Sequence, residues 1–252
     1  MIIATVLLAS CFGLIAIVNR REVGRSDPIG QQQNTQPITG RNGFALVFSD
    51  RYLLLIAVLM VLLNVVNSAG EFVLGKLVSA QAMSLFQGDG LAAERQRFIG
   101  SFYGTFFGRV NLLGFLIQLF VTSRLLRYMG VRGALFVLPV IALVNYSVIV
   151  VAPVLAVVSV LKVLENATDY SVQNTVKQAL FLPTSREAKY KAKAAIDTFF
   201  MRLGDVTQAG IVGLGTRLGA SVGAFAAFTV GLSMVWLIVA GKIAREHRRR
   251  TV

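Results

Sequence analysis

Charge is what this chain lacks most. Only 15% of its 252 residues are Asp, Glu, Lys or Arg, against about 25% in a typical soluble domain. A soluble core of this length would need polar faces on most of its helices, and those faces are missing. There is one cysteine, Cys11, which excludes an intrachain disulfide. There is one histidine, His247, in a basic stretch near the C-terminus. That leaves neither a zinc ligand set nor a histidine-based catalytic triad. No Gly-rich loop ends in Lys-Ser or Lys-Thr, so the P-loop chemistry of nucleotide hydrolysis is absent. No nucleophile stands beside a base, and the chain does not read as an enzyme. Metals and cofactors are likewise not expected.

What is present is apolar. Hydrophobic residues make up 55% of the chain, and the mean hydropathy is +0.68. In lipid only helices and closed barrels satisfy every backbone group. Uninterrupted apolar runs, rather than alternating ones, select helices. The fold class is therefore an all-α membrane protein with about seven transmembrane helices, near residues 2–18, 52–80, 98–122, 133–152, 155–177, 194–213 and 220–241. The stretch from Leu7 to Cys11 mimics a lipoprotein cleavage box. No basic residue precedes it and the apolar run continues to Val18, so a spanning helix is expected instead.

The 25 Lys and Arg exceed the 12 Asp and Glu, giving a net charge of +13. Such an excess can mark a nucleic-acid partner, but here the cations lie between apolar runs. They alternate: residues 19–51, 123–132, 186–193 and 242–250 are rich in them, and the intervening loops are poor. The positive-inside rule then places the N-terminus outside and the C-terminus in the cytoplasm. Residues 19–50, rich in Gln, Gly and Pro, are expected to be a cytoplasmic linker, with GFALVFSD near its end as a short interfacial helix. Residues 51–241 form six helices, and 242–252 a basic cytoplasmic tail.

Charges inside the spans need a reason, since each costs about 2.5–3.5 kcal/mol at the bilayer centre. Asn64, Asn67, Ser68, Glu71 and Gly75 fall on one face of the second span. That stripe either lines a cavity or glues helices together. Lys76 is a partner for Glu71 or snorkels to the surface. Lys162, Glu165, Asp169, Gln173 and Lys177 fall close to one face of the fifth span, with Asn166, Tyr170 and Asn174 beside it. Lys162 can pair with Glu165 along the helix. Arg109, Asp197, Arg202 and Asp205 are expected to add buried or half-buried charge. Structural ion pairing is the alternative to a transport path throughout.

The segment ENATDYSVQNTVKQALFLPTSREAKYKAKAAIDTFFMRLGD resembles the signature region of the ATP:ADP antiporter family. The match runs through Tyr170, Lys177, Phe181-Leu182-Pro183, Tyr190, Lys191, Lys193, Ile196-Asp197 and Arg202-Leu203-Gly204. NVVNSAGEFVLGK similarly resembles the family's seventh helix, aligning Asn67, Glu71 and Lys76. Two positions depart from the pattern. Gln178 stands where the family has Glu, and Gly75 where it has Trp, which points to a changed substrate. The resemblance covers residues 44 to about 241, the family's C-terminal half. It implies a major-facilitator-like six-helix half with one preceding helix, and a truncated or split carrier.

The resemblance further implies a secondary transporter exchanging ATP and ADP, or another phosphorylated anion, by alternating access. The residues it and the two stripes nominate for substrate are Asn67, Glu71, Lys76, Arg109, Lys162, Glu165, Asp169, Tyr170, Lys177, Asp197 and Arg202. Partners would be the lipid bilayer and a separate N-terminal half or a second copy, with no nucleic acid. The alternatives are a non-transporting assembly partner or remnant, and a major-facilitator transporter of a different organic anion.

Overall fold

The computed structural model describes residues 42–251, together with residue 13. The expected first span at 2–18 and the linker as far as residue 41 lie outside the described residues. Every regular element among the described residues is helical. In chain order they are α1 (Gly43–Ser49), α2 (Arg51–Leu85), α3 (Ala92–Leu116), α4 (Ser123–Ala134), α5 (Val137–Val151), α6 (Leu155–Thr168), α7 (Asn174–Ala179), α8 (Lys193–Ala195), α9 (Met201–Arg217) and α10 (Val222–Thr251). Four stretches of wider, π-helical winding join some of them, at Ile117–Thr122, Asp169–Gln173, Ala188–Ala192 and Ile196–Phe200. Each of the six spans expected after residue 50 falls on helical chain, the fourth of them straddling the end of α4 and the whole of α5.

Among the described residues, three runs are both long and apolar enough to cross a membrane: α2, the 43-residue run Ala92–Ala134, and α10. Helix α5 is shorter and equally apolar. With these helices the chain is a membrane protein. At 35 residues and about 1.5 Å per residue, α2 is about 52 Å long. A hydrocarbon core is about 30 Å thick, so both ends of α2 project beyond it. The Ala92–Ala134 run continues well past the expected end of its span at residue 122, with a break at Gly130. There φ is 66° and ψ 178°, a conformation outside the helical region that glycine adopts freely.

Helix α2 is the hub. It packs against α3, α6, α9 and α10, while α10 also packs along α5 and α3 along α6. Its sequence explains this position, because Leu, Ile, Val and Met occur all round it rather than on one stripe. A helix apolar on every side is a buried helix. Tyr52, Ile56, Leu59, Met60, Val66 and Leu74 are fully enclosed. The outer helices instead expose large apolar side chains, among them Leu112, Phe115 and Phe120 on the Ala92–Ala134 run and Val206 and Leu214 on α9. In water such a surface would be a liability; in lipid it is ordinary.

The two ends of the unit are tied where α2 begins and α10 finishes. The Asp50 carboxylate caps α2 by accepting from the Tyr52 amide at 2.9 Å. It also accepts two hydrogen bonds from the Arg250 guanidinium, at 2.6 and 3.1 Å. That guanidinium lies 4.6 Å over the Tyr52 ring. The Tyr52 hydroxyl donates to the Leu180 carbonyl at 2.7 Å and lies 2.9 Å from His247 Nδ1. With the hydroxyl's one hydrogen given to Leu180, His247 must be the donor, as its Nδ1–H tautomer. The expected tail at 242–252 is thus helical to Thr251 and anchored through Arg250 and His247. The expected short helix before the second span is also present, as α1. Its Phe44 and Phe48 pack against Phe199 and Phe200.

A candidate substrate site along one bent helix

The charged stripe of the fifth span divides in two. In the first part Lys162 is completely buried. Its ammonium donates to Asn67 Oδ1 at 2.9 Å, to Glu165 Oε1 at 3.1 Å and to the Asn67 carbonyl at 3.4 Å. Glu71 Oε1 stands 3.6 Å away. The other Glu165 oxygen accepts from Asn145 Nδ2 at 3.2 Å. The Tyr146 hydroxyl lies 3.1 Å from Glu165 Oε1 and 2.9 Å from the Val66 carbonyl, sharing its one hydrogen between them. Asn166 Nδ2 donates to Glu71 Oε1 at 2.8 Å. Helices α2, α5 and α6 therefore meet through a network in which every ammonium hydrogen has an acceptor. Gly70 makes this possible. A Cβ there would fall onto the Tyr146 hydroxyl and within 2.8 Å of Lys162 Nζ.

The second part begins at the π-helical stretch Asp169–Gln173. Winding of that kind turns the chain by less per residue than the roughly 100° of an α-helix, so it changes the angular register of the residues that follow. Such insertions are frequent at functional sites. Here Asp169, Tyr170, Gln173, Asn174 and Lys177, with Leu63 of α2, line a cavity of about 350 Å³. Gln173 is 1% exposed, yet neither its amide oxygen nor its amide nitrogen has a hydrogen-bond partner. Buried amides are rarely left so. Lys177 is half-buried and makes no hydrogen bond or ion pair among the described residues. One cation of this helix is thus saturated and the other is open.

The remaining nominated residues lie elsewhere. Asn67 and Glu71 belong to the Lys162 network, and the cation that Glu71 faces is Lys162. Lys76 is exposed and rests 5.6 Å over the Phe72 ring. Arg109 was expected to be buried or half-buried; it is exposed, at the rim of a separate apolar cleft of about 600 Å³ between α3 and α6. Arg202 is also exposed and pairs with Asp205 at 3.2 Å. The reason is the same for both: each lies on the outward face of a peripheral helix. Asp197 pairs with Lys193 at 2.9 Å, one turn away, and Lys193 lies 6.0 Å over the Phe181 ring. These residues of the motif thus hold the loop together. Gly204 of the same motif lets α9 approach α2, since a Cβ there would sit 2.8 Å from Asn64 Cβ. Asn64 in turn donates to the Met201 carbonyl at 2.6 Å and to Asp205 at 2.7 Å. That end of the α2 stripe is helix-to-helix contact. Gln173 and Asn174 stood on or beside the stripe without being nominated. Their signal was the amide type at a span position, which α-helical spacing alone could not aim at a cavity.

A helical membrane protein with an ion-paired interior and a polar cavity along one bent helix is the class that fold and site define. A family model described as TLC ATP/ADP transporter matches residues 1–247. The chain belongs to the TLC ATP/ADP transporter family, a family of transporters and not of enzymes. Among curated proteins it is similar to "ADP,ATP carrier protein 1" of Chlamydia trachomatis, at 25% identity over 167 residues. The proteins of the same name from Chlamydia muridarum and Chlamydia pneumoniae are each 26% identical. The first match covers 57% of this chain and 32% of the relative, so the chain spans about a third of the length of the curated relatives it matches. No solved structure gives a significant match.

Proposed function

We propose that the chain is a six-helix half of a major-facilitator-like carrier that exchanges adenine nucleotides, with one preceding helix at 1–18 and a linker at 19–50. The half comprises residues 51–241, its basic end 242–252 faces the cytoplasm, and the N-terminus is outside. Alternating access needs a second bundle opposite this one. In this reading that bundle comes from another part of the same carrier or from a second chain. One observation carries the assignment: the cavity in which Lys177 is unpaired and the buried Gln173 amide has no partner. An unpaired ammonium is suited to a phosphate oxygen. An amide offering one acceptor and two donors is suited to the edge of a base, and the exposed Tyr170 ring to its face. The Lys162 network supports the reading differently, as the rigid wall against which the cavity is held. Glu71 belongs to that network and keeps 35% of its side chain exposed.

The test is uptake of labelled ATP or ADP into vesicles preloaded with unlabelled nucleotide, with the full carrier inserted. Lys177→Ala should reduce uptake roughly tenfold to a hundredfold, the weight of one charged hydrogen bond. Changing exposed Lys189 to Ala should leave uptake near the starting rate. Saturable exchange that ignores both changes would remove Lys177 from the site. Absence of any saturable exchange would remove the nucleotide assignment.

A further inference from the structure

At the end of the unit where α2 begins and α10 finishes, four cations crowd a small pocket. Arg51 of α2 and Lys242, Arg245 and Arg249 of α10 line about 130 Å³, together with Leu55 and Glu246. Only Arg249 has a carboxylate, Glu246 at 3.5 Å. Glu246 is also shared with Arg250 at 4.0 Å. Arg51, Lys242 and Arg245 have no ion pair among the described residues, and all three are exposed. Like charges held this close repel unless a counter-charge enters between them.

The residues next to the pocket show what kind of counter-charge fits. Along α2, Arg51, Leu55 and Val58 follow at intervals of four and three, so they share a face. Along α10 the face bearing Lys242 and Arg245 continues back to Ile238 and Val235. Val58, Ile238 and Val235 are 39%, 59% and 46% exposed. The two helices pack together. Their shared groove therefore has cations at its mouth and exposed aliphatic side chains just inside, over the helical segments that cross the membrane. A soluble phosphate would use only the mouth. A molecule with a negative head and a hydrocarbon chain uses both.

We propose that this groove binds an anionic phospholipid, its phosphate between Arg51, Lys242 and Arg245 and an acyl chain along Val58, Ile238 and Val235. Basic pockets between transmembrane helices are suited to such headgroups. The Asp50–Arg250 clasp beside the pocket holds the two helix ends in register, so the cations are presented as a set. The site is independent of the proposed nucleotide cavity and does not rest on it.

Native mass spectrometry of the full chain tests this with three probes: phosphatidylglycerol, zwitterionic phosphatidylcholine and soluble glycerol 3-phosphate. Phosphatidylglycerol should be retained, and the other two should not. Lys242→Gln with Arg245→Gln should weaken phosphatidylglycerol binding roughly thirtyfold, the weight of two surface cations at a membrane. Arg124→Gln with Arg127→Gln, which removes two exposed cations elsewhere, should leave it unchanged. Should the first pair not fold, Lys242→Gln alone should give a several-fold loss. Equal retention of the zwitterionic lipid would overturn the proposal. So would equal losses in both double variants, which would mean general charge attraction. Tight binding of glycerol 3-phosphate would mean a site for a soluble phosphate instead.

Discussion

Lys162 and Lys177 sit on the same bent helical run, fifteen residues apart, and could hardly be more different. Lys162 has an acceptor for each hydrogen, two carboxylates within ion-pair distance and no exposure. Lys177 has no hydrogen bond or ion pair among the described residues; it faces a cavity with the Asp169 carboxylate across it and an unpartnered amide beside it. The contrast teaches that an intramembrane charge is not by itself a transport residue. A cation whose hydrogens are all used holds helices together; a cation with hydrogens to spare is available to a ligand. Distance along the helix separates the two roles: fifteen residues at about 1.5 Å each put the lysines about 22 Å apart, too far to share one network.

The comparison can be broken most forcefully at Lys162. Lys162→Met should destabilise the folded protein by about 3–5 kcal/mol, because Glu165 and Glu71 would lose their shared cation in a buried setting. Thermal unfolding in detergent measures it. Changing Glu165 to Gln as well should recover part of the loss, since the uncompensated charge goes too. If Lys162→Met unfolded at the starting temperature, the network would not be the structural joint described above.

A smaller effect is expected at Gly70. Gly70→Ala keeps every charge but places a methyl group where the Tyr146 hydroxyl and Lys162 ammonium stand. Overpacking of this kind costs about 1–3 kcal/mol. Pairing it with Tyr146→Phe, which removes the hydroxyl, should reduce the cost in the same unfolding measurement.

At Lys177 the comparison is sharpened by a near absence of effect on stability. Lys177→Ala should shift unfolding by no more than about 0.5 kcal/mol, as at other unpaired positions, while lowering nucleotide uptake. Lys177→Arg should restore part of the uptake, because charge returns in a planar geometry. A stability loss as large as that of Lys162→Met would place both lysines in one structural class.

The smallest expected effect lies at the clasp between α2 and α10, beyond the apolar stretches of both helices. Burial, with the nearby Arg132 charge, holds the His247 imidazole below its ordinary pKa. Its folded value is thus depressed, and the stabilisation is complete above the unfolded value near 6.5 and fades as pH falls towards the folded one. Burial pushes Asp50 upward, but hydrogen bonds from Arg250 and the Tyr52 amide outweigh it and leave the carboxyl below its ordinary value. Its contribution is complete above about 3.8 and is lost in stronger acid. Hydrogen exchange at the ends of α2 and α10 should therefore quicken in two steps on acidification. His247→Gln should remove the first step and leave the second.

Much of this was legible in the chain alone. Long apolar runs showed that the chain is helical and membrane-bound, because in lipid a backbone has almost no other way to satisfy its hydrogen bonds. The Lys162–Glu165 pair was legible because residues three apart on a helix face each other whatever surrounds them. The family was legible in the order of Tyr170, Lys177, Pro183, Asp197 and Gly204, which needs no coordinates.

Other features had to wait for the tertiary structure. Spacing treated Lys162 through Lys177 as one stripe with one role; it could not say that the first part meets α2 and α5 while the last part lines a cavity. Spacing put Asn64, Asn67 and Glu71 on one face but could not say what that face meets. Asn64 meets α9, Asn67 meets the buried lysine, and Glu71 lies between the lysine and Asn166. The exposure of Arg109 and Arg202 was hidden for a similar reason. Which side of a helix points inward depends on its neighbours, and neighbours are set by packing across the whole bundle. Sequence determined the helices, the charges they carry and the family they belong to. Packing decided which of those charges are spent on one another and which remain free for a ligand.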